Sequence, residues 1–332
     1  LVGPSTQVVD LNGRMVLPGL YESHVHALRC AAAKVSEPYA ELRSMAEIQE
    51  WVRQRARELP AGQWIHVPRN EITRLRERRH PTVAELDAAT TTHPVVFTSV
   101  RKHVFNRAGF AALGISESAT SVPGTEIIPG KDGKPQFLIT NAPHLTRLFS
   151  PSERATPEQS DAALLELHQA YLAAGITTIF ERGSGMSEYR AYEKLHARGK
   201  LAVRTRFTIR SSFRSGDAIK KLVAQEKISP GQGDDFLGIG PLKITVDGGI
   251  HWGNTRLSEP YGEKRIRFYV HSDPEYRGDF SYSEKELESV FAGAAALGWQ
   301  MVVHVTGDAG TEIVLRAMEQ ASRNACLLYT SD

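Results

Sequence analysis

Strand-like and helix-like segments alternate along most of the chain, and this alternation restricts the fold more than any other feature. Short segments rich in β-branched and apolar residues lie at about 20–27, 175–181, 202–209, 241–247 and 299–305. The segments between the last four have the spacing of amphipathic helices. Strands joined through helices pair in parallel with right-handed crossovers. The sequence therefore predicts an α/β fold.

Two α/β architectures fit this alternation: a TIM-type (β/α)8 barrel and an open, doubly wound sheet. A Rossmann-type oxidoreductase carries a GxGxxG motif after its first strand, and no such motif follows the strand near residue 20. We therefore predict a partial TIM-type (β/α)8 barrel with about five of the eight strands. The Rossmann-type oxidoreductase is the less favoured alternative.

Two regions depart from the barrel pattern. Residues 1–19 alternate on either side of the hairpin dipeptide Asn12-Gly13, which predicts a strand, a turn and a strand as the remnant of a small β-domain. Residues 60–150 mix short strands and helices and predict an α+β insertion. The partial barrel is then assigned to residues 20–59 and 151–325.

The ends of the chain and one early helix give further expectations. The spacing predicts a helix from Ser44 to Leu59, with Ser44 and Glu47 forming a capping box. Residues 326–332 resemble a translated library adapter and are expected to be a non-native tail. The chain also lacks an initiator methionine, so we expect a fragment of a longer protein.

The composition excludes several classes of protein. The 40 Lys and Arg residues nearly balance 38 Asp and Glu residues, for a net charge of +2, which argues against a nucleic-acid partner. No apolar run is long enough for a membrane span, and no signal peptide is visible. Only two cysteines, Cys30 and Cys326, are present, so no disulfide framework is expected. We expect a cytoplasmic location without membrane or nucleic-acid partners; a homo-oligomer stays open.

The first predicted strand ends in two histidines, within VLPGLYESHVHAL (Val16 to Leu28). Alternate side chains of a strand point to the same face, so His24 and His26 would project together. Two imidazoles on one face form a natural pair of metal ligands. The alternative is two unrelated polar residues in a loop.

Further polar residues lie at the ends of the later predicted strands, and in a barrel these ends meet at the active site. They are Glu181, Arg210, Lys243, Asp247, His304 and Asp308. Three histidines from the first and fifth strands, with one oxygen ligand, would hold a divalent metal and leave a position open for water.

Several stretches resemble the metal-dependent amidohydrolase superfamily, and within it the YtcJ-like branch that includes N-substituted formamide deformylases. These stretches are VLPGLYESHVHAL, GITTIFERG, LKITVDGGIHWGNTRLSEPY and VVHVTGDAGTEIVLRAME. The resemblance implies a hydrolase of carbon–nitrogen bonds other than peptide bonds, with a small amide-type molecule as substrate. It also implies one or two divalent metal ions, with zinc expected, that activate the attacking water.

The resemblance assigns roles to individual residues. His24, His26 and His304 match the histidine ligands, and Lys243 stands where many members carry a carboxylated lysine between two metals. The alternative for Lys243 is a pair with a nearby carboxylate. Asp247 and Asp308 are expected to orient ligands or loops.

Three other residues have two readings each. Glu181 is either polar lining or a structural partner of Arg182 or Arg204. His103 is either a substrate contact or a surface histidine. His251 either lines the pocket or packs within its loop.

Catalysis in the superfamily also uses a histidine on the sixth strand and an aspartate, the general base, on the eighth. The chain ends before both, so its catalytic residues are unknown from the sequence. An alternative to the hydrolase reading is therefore a catalytically incompetent fragment of such an enzyme, prone to aggregate through its open sheet edges.

Overall fold

The computed structural model describes residues 2–36, 39–68, 70–99, 102–116, 118–119, 121–122, 125–129, 133, 135–140, 155–269, 271 and 273–324. The predicted tail at 326–332 lies outside these residues. The strands in the described ranges are β1 (Leu20–Val25), β2 (Ile65–Val67), β3 (Val95–Ser99), β4 (Lys102–Phe105), β5 (Ser121–Val122), β6 (Thr125–Pro129), β7 (Pro135–Thr140), β8 (Ile176–Ser184), β9 (Arg204–Arg210), β10 (Leu237–Thr245) and β11 (Met301–His304). The α-helices are α1 (Ala27–Ser36), α2 (Met45–Glu58), α3 (Val83–Asp87), α4 (Arg107–Ala112), α5 (Pro157–Ala173), α6 (Met186–Ala197), α7 (Gly216–Glu226), α8 (Gly262–Tyr269), α9 (Glu284–Ala296) and α10 (Asp308–Asn324).

Five strands form one curled parallel sheet, in the order β1-β8-β9-β10-β11. Each pair of neighbours is parallel, as the alternation predicts. The order follows the sequence without the reversal that a doubly wound sheet contains. Among the described strands, the open Rossmann-type alternative is therefore wrong.

The sheet buries one face against helices. On β9, Phe207 and Ile209 point into this core, and the alternate residues Thr208 and Arg210 point to the opposite face. The ring of Tyr192 on α6 meets Phe207 edge-on at 5.4 Å between centroids. The core side is thus continuous, and the other face carries the polar side chains.

Residues 60–150 contain a second, mixed sheet with the order β2-β3-β4-β7-β6-β5. This sheet has its own apolar core, which includes Ile65 and Val95, and the assignment of residues 60–150 as an α+β insertion stays a prediction. Helix α2 buries Ile48 and Val52 in that core, so it packs with the insertion rather than with the parallel sheet.

Only half of the predicted capping box at the start of α2 forms. The hydroxyl of Ser44 accepts a hydrogen bond from the backbone N–H of Glu47 at 3.3 Å. The carboxylate of Glu47, however, accepts from the backbone N–H of Arg43 at 2.7 Å. Ser44 is therefore the cap, and Glu47 stabilises the chain one residue earlier.

The predicted N-terminal hairpin is only partly present. Asn12 and Gly13 have φ of 50° and 73°, and the N–H of Arg14 donates to the carbonyl of Leu11 at 3.0 Å, so the turn forms. No described residue between 2 and 19 lies in a strand, and the strand prediction there is wrong. Alternating apolar residues stabilise a strand only where a second layer covers them, and Val8, Val9 and Val16 remain exposed.

Among the described strands and α-helices, four are absent from the sequence prediction. They are α1, β4, β5 and α8, the last lying in the loop from Gly249 to Tyr282. Within the described part of the chain, no helix combines the length and the apolar character needed to cross a membrane.

Helices α7 and α9 cross at two glycines. A Cβ on Gly293 would lie 2.1 Å from the Cα of Gly216, and the N–H of Gly216 donates to the hydroxyl of Ser289 at 3.2 Å. The two backbones therefore touch, and no side chain can rotate to relieve an added methyl group.

We expect Gly293→Ala to destabilise the protein. The alanine gains about 1 kcal/mol of helix propensity, but overpacking against a backbone costs about 1–3 kcal/mol or more. The midpoint of thermal unfolding checks this, with Gly240→Ala as the control because a Cβ there meets only an ordinary contact at 3.5 Å. The close crossing would be contradicted if the midpoint of Gly293→Ala equalled or exceeded that of the unmodified protein.

Candidate metal centre

The two histidines of the first strand lie side by side at the carboxyl end of β1. Their ring centroids are 5.4 Å apart with an interplanar angle of 84°. Between them, Val25 packs on the apolar core. The alternation predicted from the sequence is therefore present, and it turns His24 and His26 to the polar face of the curled sheet.

Both rings are held in the neutral form that a metal ligand requires. Burial, followed by the charges of Lys243 and His24, lowers the pKa of His26 to about 4. Burial also lowers the pKa of His24, followed by the charges of Lys243 and Arg182. At neutral pH each ring therefore keeps a nitrogen lone pair.

His304 ends β11, and its position next to Thr245 of β10 places it at the same edge of the sheet. Its Nε2 lies 2.9 Å from the carbonyl oxygen of Gly248. A carbonyl only accepts hydrogen bonds, so Nε2 carries the proton and Nδ1 holds the free lone pair. A third imidazole nitrogen is thereby prepared for a ligand.

Lys243 lies on β10 and is 5% exposed. Its Nζ is 3.3 Å from where a Cβ on Gly183 would lie, so the missing side chain of Gly183 makes room for the ammonium. Burial lowers the pKa of Lys243, and the charges of Arg210 and Arg182 add to this. Among the described residues the ammonium forms no ion pair, so the predicted pairing with a nearby carboxylate is not found.

The donors found here suit a divalent metal in kind: three imidazoles, two of them adjacent, and a buried lysine. Within the described ranges, however, no group of three or more His, Cys, Asp and Glu side chains is arranged so that it could hold a metal ion. The structure brings His24 and His26 together as a pair, with His304 and Lys243 on the same polar face.

Glu181 links β8 to the helix that follows the two histidines. Its side chain is wholly buried, and Oε2 accepts from the N–H groups of Ala27 and Leu28 at 2.8 and 3.3 Å. Tyr192 and Ser184 donate hydroxyl protons to it at 3.0 and 3.1 Å. Burial raises the pKa of this carboxyl.

The position of Glu181 corrects the prediction that it pairs with Arg182 or Arg204. Its carboxylate faces the core side and caps the first turn of α1, where the helix dipole favours negative charge. The guanidinium of Arg182 instead donates to the carbonyl of Ser23 at 3.0 Å. Glu181 therefore fixes the backbone immediately after His26.

Asp247 holds the turn beside His304 in a similar way. Both of its oxygens accept from the N–H of Thr306, at 3.0 and 3.1 Å. Oδ2 also accepts from the N–H of Gly307 at 2.8 Å and of Arg256 at 3.2 Å. All of these donors are backbone amides, so this carboxylate fixes the chain after β11.

Asp308 and His251 lie farther from the histidines of β1. At the start of α10, Asp308 accepts from the backbone N–H of Ser258 at 3.0 Å and from its hydroxyl, which fastens the loop from Gly249 to Tyr282. His251 is exposed in a short 3-10 turn, Ile250–Trp252. Both roles of His251, pocket lining and packing within its loop, therefore stay predictions.

His103 is not brought to the strand ends. It lies on β4 of the insertion and is 1% exposed, with Nδ1 3.1 Å from the hydroxyl of Thr98. The reading of His103 as a surface histidine is therefore wrong, and its reading as a substrate contact stays a prediction.

Two arginines lie close to the candidate site: Arg210, which the sequence already places at a strand end without a specific role, and Arg182, which it considers only as a partner of Glu181. Arg182 and Arg210 lie on the same polar face as the histidines, at the ends of β8 and β9. The signal was present in GITTIFERG: because Ile179 and Glu181 face the core, Arg182 must face the other way.

Comparisons with known proteins agree on the family. Residues 7–327 match the model of the amidohydrolase family. The chain is 24% identical to the protein YtcJ of Bacillus subtilis (strain 168) over 323 residues, which are 96% of this chain and 58% of that protein. It is 25% identical to the N-substituted formamide deformylase of Arthrobacter pascens over 338 residues, 97% of this chain and 59% of the enzyme. The chain thus spans just under three fifths of the length of these relatives.

Solved structures share the fold. An uncharacterized metal-dependent hydrolase from Pyrococcus furiosus matches with a TM-score of 0.57 and 20% identity, over 92% of this chain and 58% of that chain. Another from Pyrococcus horikoshii OT3 matches with a TM-score of 0.58 and 19% identity, over 92% of this chain and 56% of that chain. Because the family match covers nearly the whole sequence, the protein belongs to the amidohydrolase family.

Proposed function

We propose that this chain carries part of the metal centre of a hydrolase that cleaves carbon–nitrogen bonds other than peptide bonds. The observation that carries the proposal is the placement of His24, His26, Lys243 and His304 on one face at one edge of the parallel sheet. The amidohydrolase match and the similarity to an N-substituted formamide deformylase support the reaction class. The substrate class is a small amide-type molecule.

The residues of the chain would share the work as follows. His24 and His26 would bind one divalent ion, for which we propose zinc, and His304 would bind through Nδ1. Lys243, once carboxylated, would give oxygen ligands to one or two ions. A bound divalent ion supplies Lewis acidity and a nucleophile at neutral pH.

The proposed architecture is a TIM-type barrel of which β1, β8, β9, β10 and β11 form consecutive strands. Sequential order, parallel pairing and a functional face at the carboxyl ends all support this reading. The alternative, in which residues 1–332 alone are catalytically incompetent, stays a prediction. Experiments on activity therefore use the complete protein.

We expect His26→Asn to lower metal occupancy at least about tenfold and to abolish hydrolysis, because it removes one of two adjacent imidazole ligands. Elemental analysis after dialysis measures the metal, and chelator treatment of the unmodified protein measures dependence on it. His196→Asn is the control. His196 lies on helix α6, and its Nε2 is 2.7 Å from Oδ2 of Asp234. Full activity of a metal-free, chelator-treated protein would refute the proposed function.

At Glu181, alanine and glutamine should differ. Glu181→Ala leaves the N–H groups of Ala27 and Leu28 without their acceptor, so we expect about 10–100-fold weaker metal binding. Glu181→Gln keeps one oxygen for these donors, and the hydroxyl of Ser184 can rotate to accept from the new amide. Glutamine should therefore restore most of the affinity. Equal metal affinity for both variants in a titration would argue against positioning through Glu181.

Asp247 should not tolerate the corresponding amide. In Asp247→Asn the amide oxygen can take the place of Oδ2 and keep its three N–H donors, but the NH2 group then stands at the position of Oδ1, opposite the N–H of Thr306. Two buried donors that face each other and cannot turn away cost about 1–3 kcal/mol. We expect a lower midpoint of thermal unfolding for Asp247→Asn than for Glu181→Gln, and an unaltered midpoint would contradict the bonding described here.

A further inference from the structure

Three cationic side chains lie at the ends of adjacent strands on the face that carries the histidines. Arg182 lies near the end of β8, Arg210 ends β9, and Lys243 is the register neighbour of Arg210 on β10. A Cβ on Gly183 would lie 3.3 Å from Nζ of Lys243 and 3.5 Å from Cδ of Arg210. The glycine therefore lets both side chains approach the same place.

The nearest acidic side chains of these strands are committed elsewhere. Glu181 points to the core side and binds the N–H groups of α1, while Asp247 binds backbone amides around Thr306. Neither carboxylate neutralises the cations. The face that would receive a substrate thus carries a local excess of positive charge, which a bound divalent ion would increase.

The two arginines differ in what holds them. Arg182 donates to the carbonyl of Ser23 at 3.0 Å and to the hydroxyl of Thr208 at 3.3 Å, and its guanidinium lies over the ring of Phe180 at 4.9 Å. Arg210 is exposed, and no described residue forms a hydrogen bond or ion pair with its guanidinium. Its donors are therefore available to a ligand.

A guanidinium presents a planar set of N–H donors that matches a carboxylate with two parallel hydrogen bonds. We propose that Arg210 binds a carboxylate of the substrate, so that the preferred substrates are N-substituted amides carrying a negatively charged group near the bond that is cleaved. This inference rests on the proposed hydrolase function and names its substrate class. Arg182 and Lys243 add to the field that attracts the anion.

The test compares a carboxylate-bearing formamide with its uncharged carboxamide of the same length, using the complete protein. Arg210→Met keeps an unbranched apolar stem and removes the charged guanidinium, and Arg210→Lys restores the charge without the planar donor pair. Arg204→Met is the control, because Arg204 lies at the other end of β9 over the ring of Phe236. Steady-state hydrolysis and calorimetric binding without added metal are both measured.

We expect the unmodified protein to favour the carboxylate by about ten- to a hundredfold in kcat/KM. Arg210→Met should remove this preference by raising KM for the carboxylate much more than for the carboxamide, while Arg210→Lys restores part of the preference and Arg204→Met affects neither substrate. Added salt should raise KM for the carboxylate only. Calorimetry should show that the unmodified protein binds the carboxylate more tightly than the carboxamide, and that Arg210→Met loses this difference.

Two results separate this inference from the function on which it rests. If both compounds are hydrolysed equally well and Arg210→Met does not discriminate between them, the inference is overturned and the hydrolase function stands. If neither is hydrolysed but calorimetry shows carboxylate binding that depends on Arg210, the anion site stands and the proposed function falls.

Discussion

Parallel pairing in sequential order is the constraint on which the site depends. The register aligns Val25 with Glu181 and Thr245 with His304. The carboxyl ends of all five strands, from β1 to β11, therefore lie at the same end of the curled sheet. Alternation along each strand then sorts the side chains, with apolar residues against the helices and polar residues on the other face. Residues far apart in the sequence become neighbours for this reason alone.

The same alternation explains why the site is cationic. Both buried carboxylates near the strand ends, Glu181 and Asp247, satisfy backbone N–H groups that would otherwise be buried without acceptors. They thereby fix the segments that follow His26 and His304. The carboxylates of Glu181 and Asp247 thus contribute to the geometry of the site. The charge of the site comes from the basic side chains on the polar face.

The sequence was sufficient for the elements that local patterns determine. Each strand of the parallel sheet has a β-branched or apolar run, and the helices between the later strands have 3.6-residue spacing, so both were predicted. Helix α1 was not, because its first turn is stabilised by Glu181, which lies 154 residues away from Ala27. The strands predicted before Leu20 failed for the opposite reason: alternation was present, but no described layer covers it. His103 was misread because nothing local shows that β4 lies inside a second sheet.

Lys243 connects the proposed metal centre with the proposed anion site. A buried ammonium beside two guanidinium groups is electrostatically costly, and this cost lowers the pKa of Lys243 through burial and through Arg210 and Arg182. A neutral lysine amine is the form that can be carboxylated, and the resulting carbamate would carry a negative charge into the cluster. That charge would be satisfied by metal ions and would still leave Arg210 open at the adjacent strand end. The carbamate and the substrate carboxylate would therefore occupy different positions, and the positive face provides a physical reason for both.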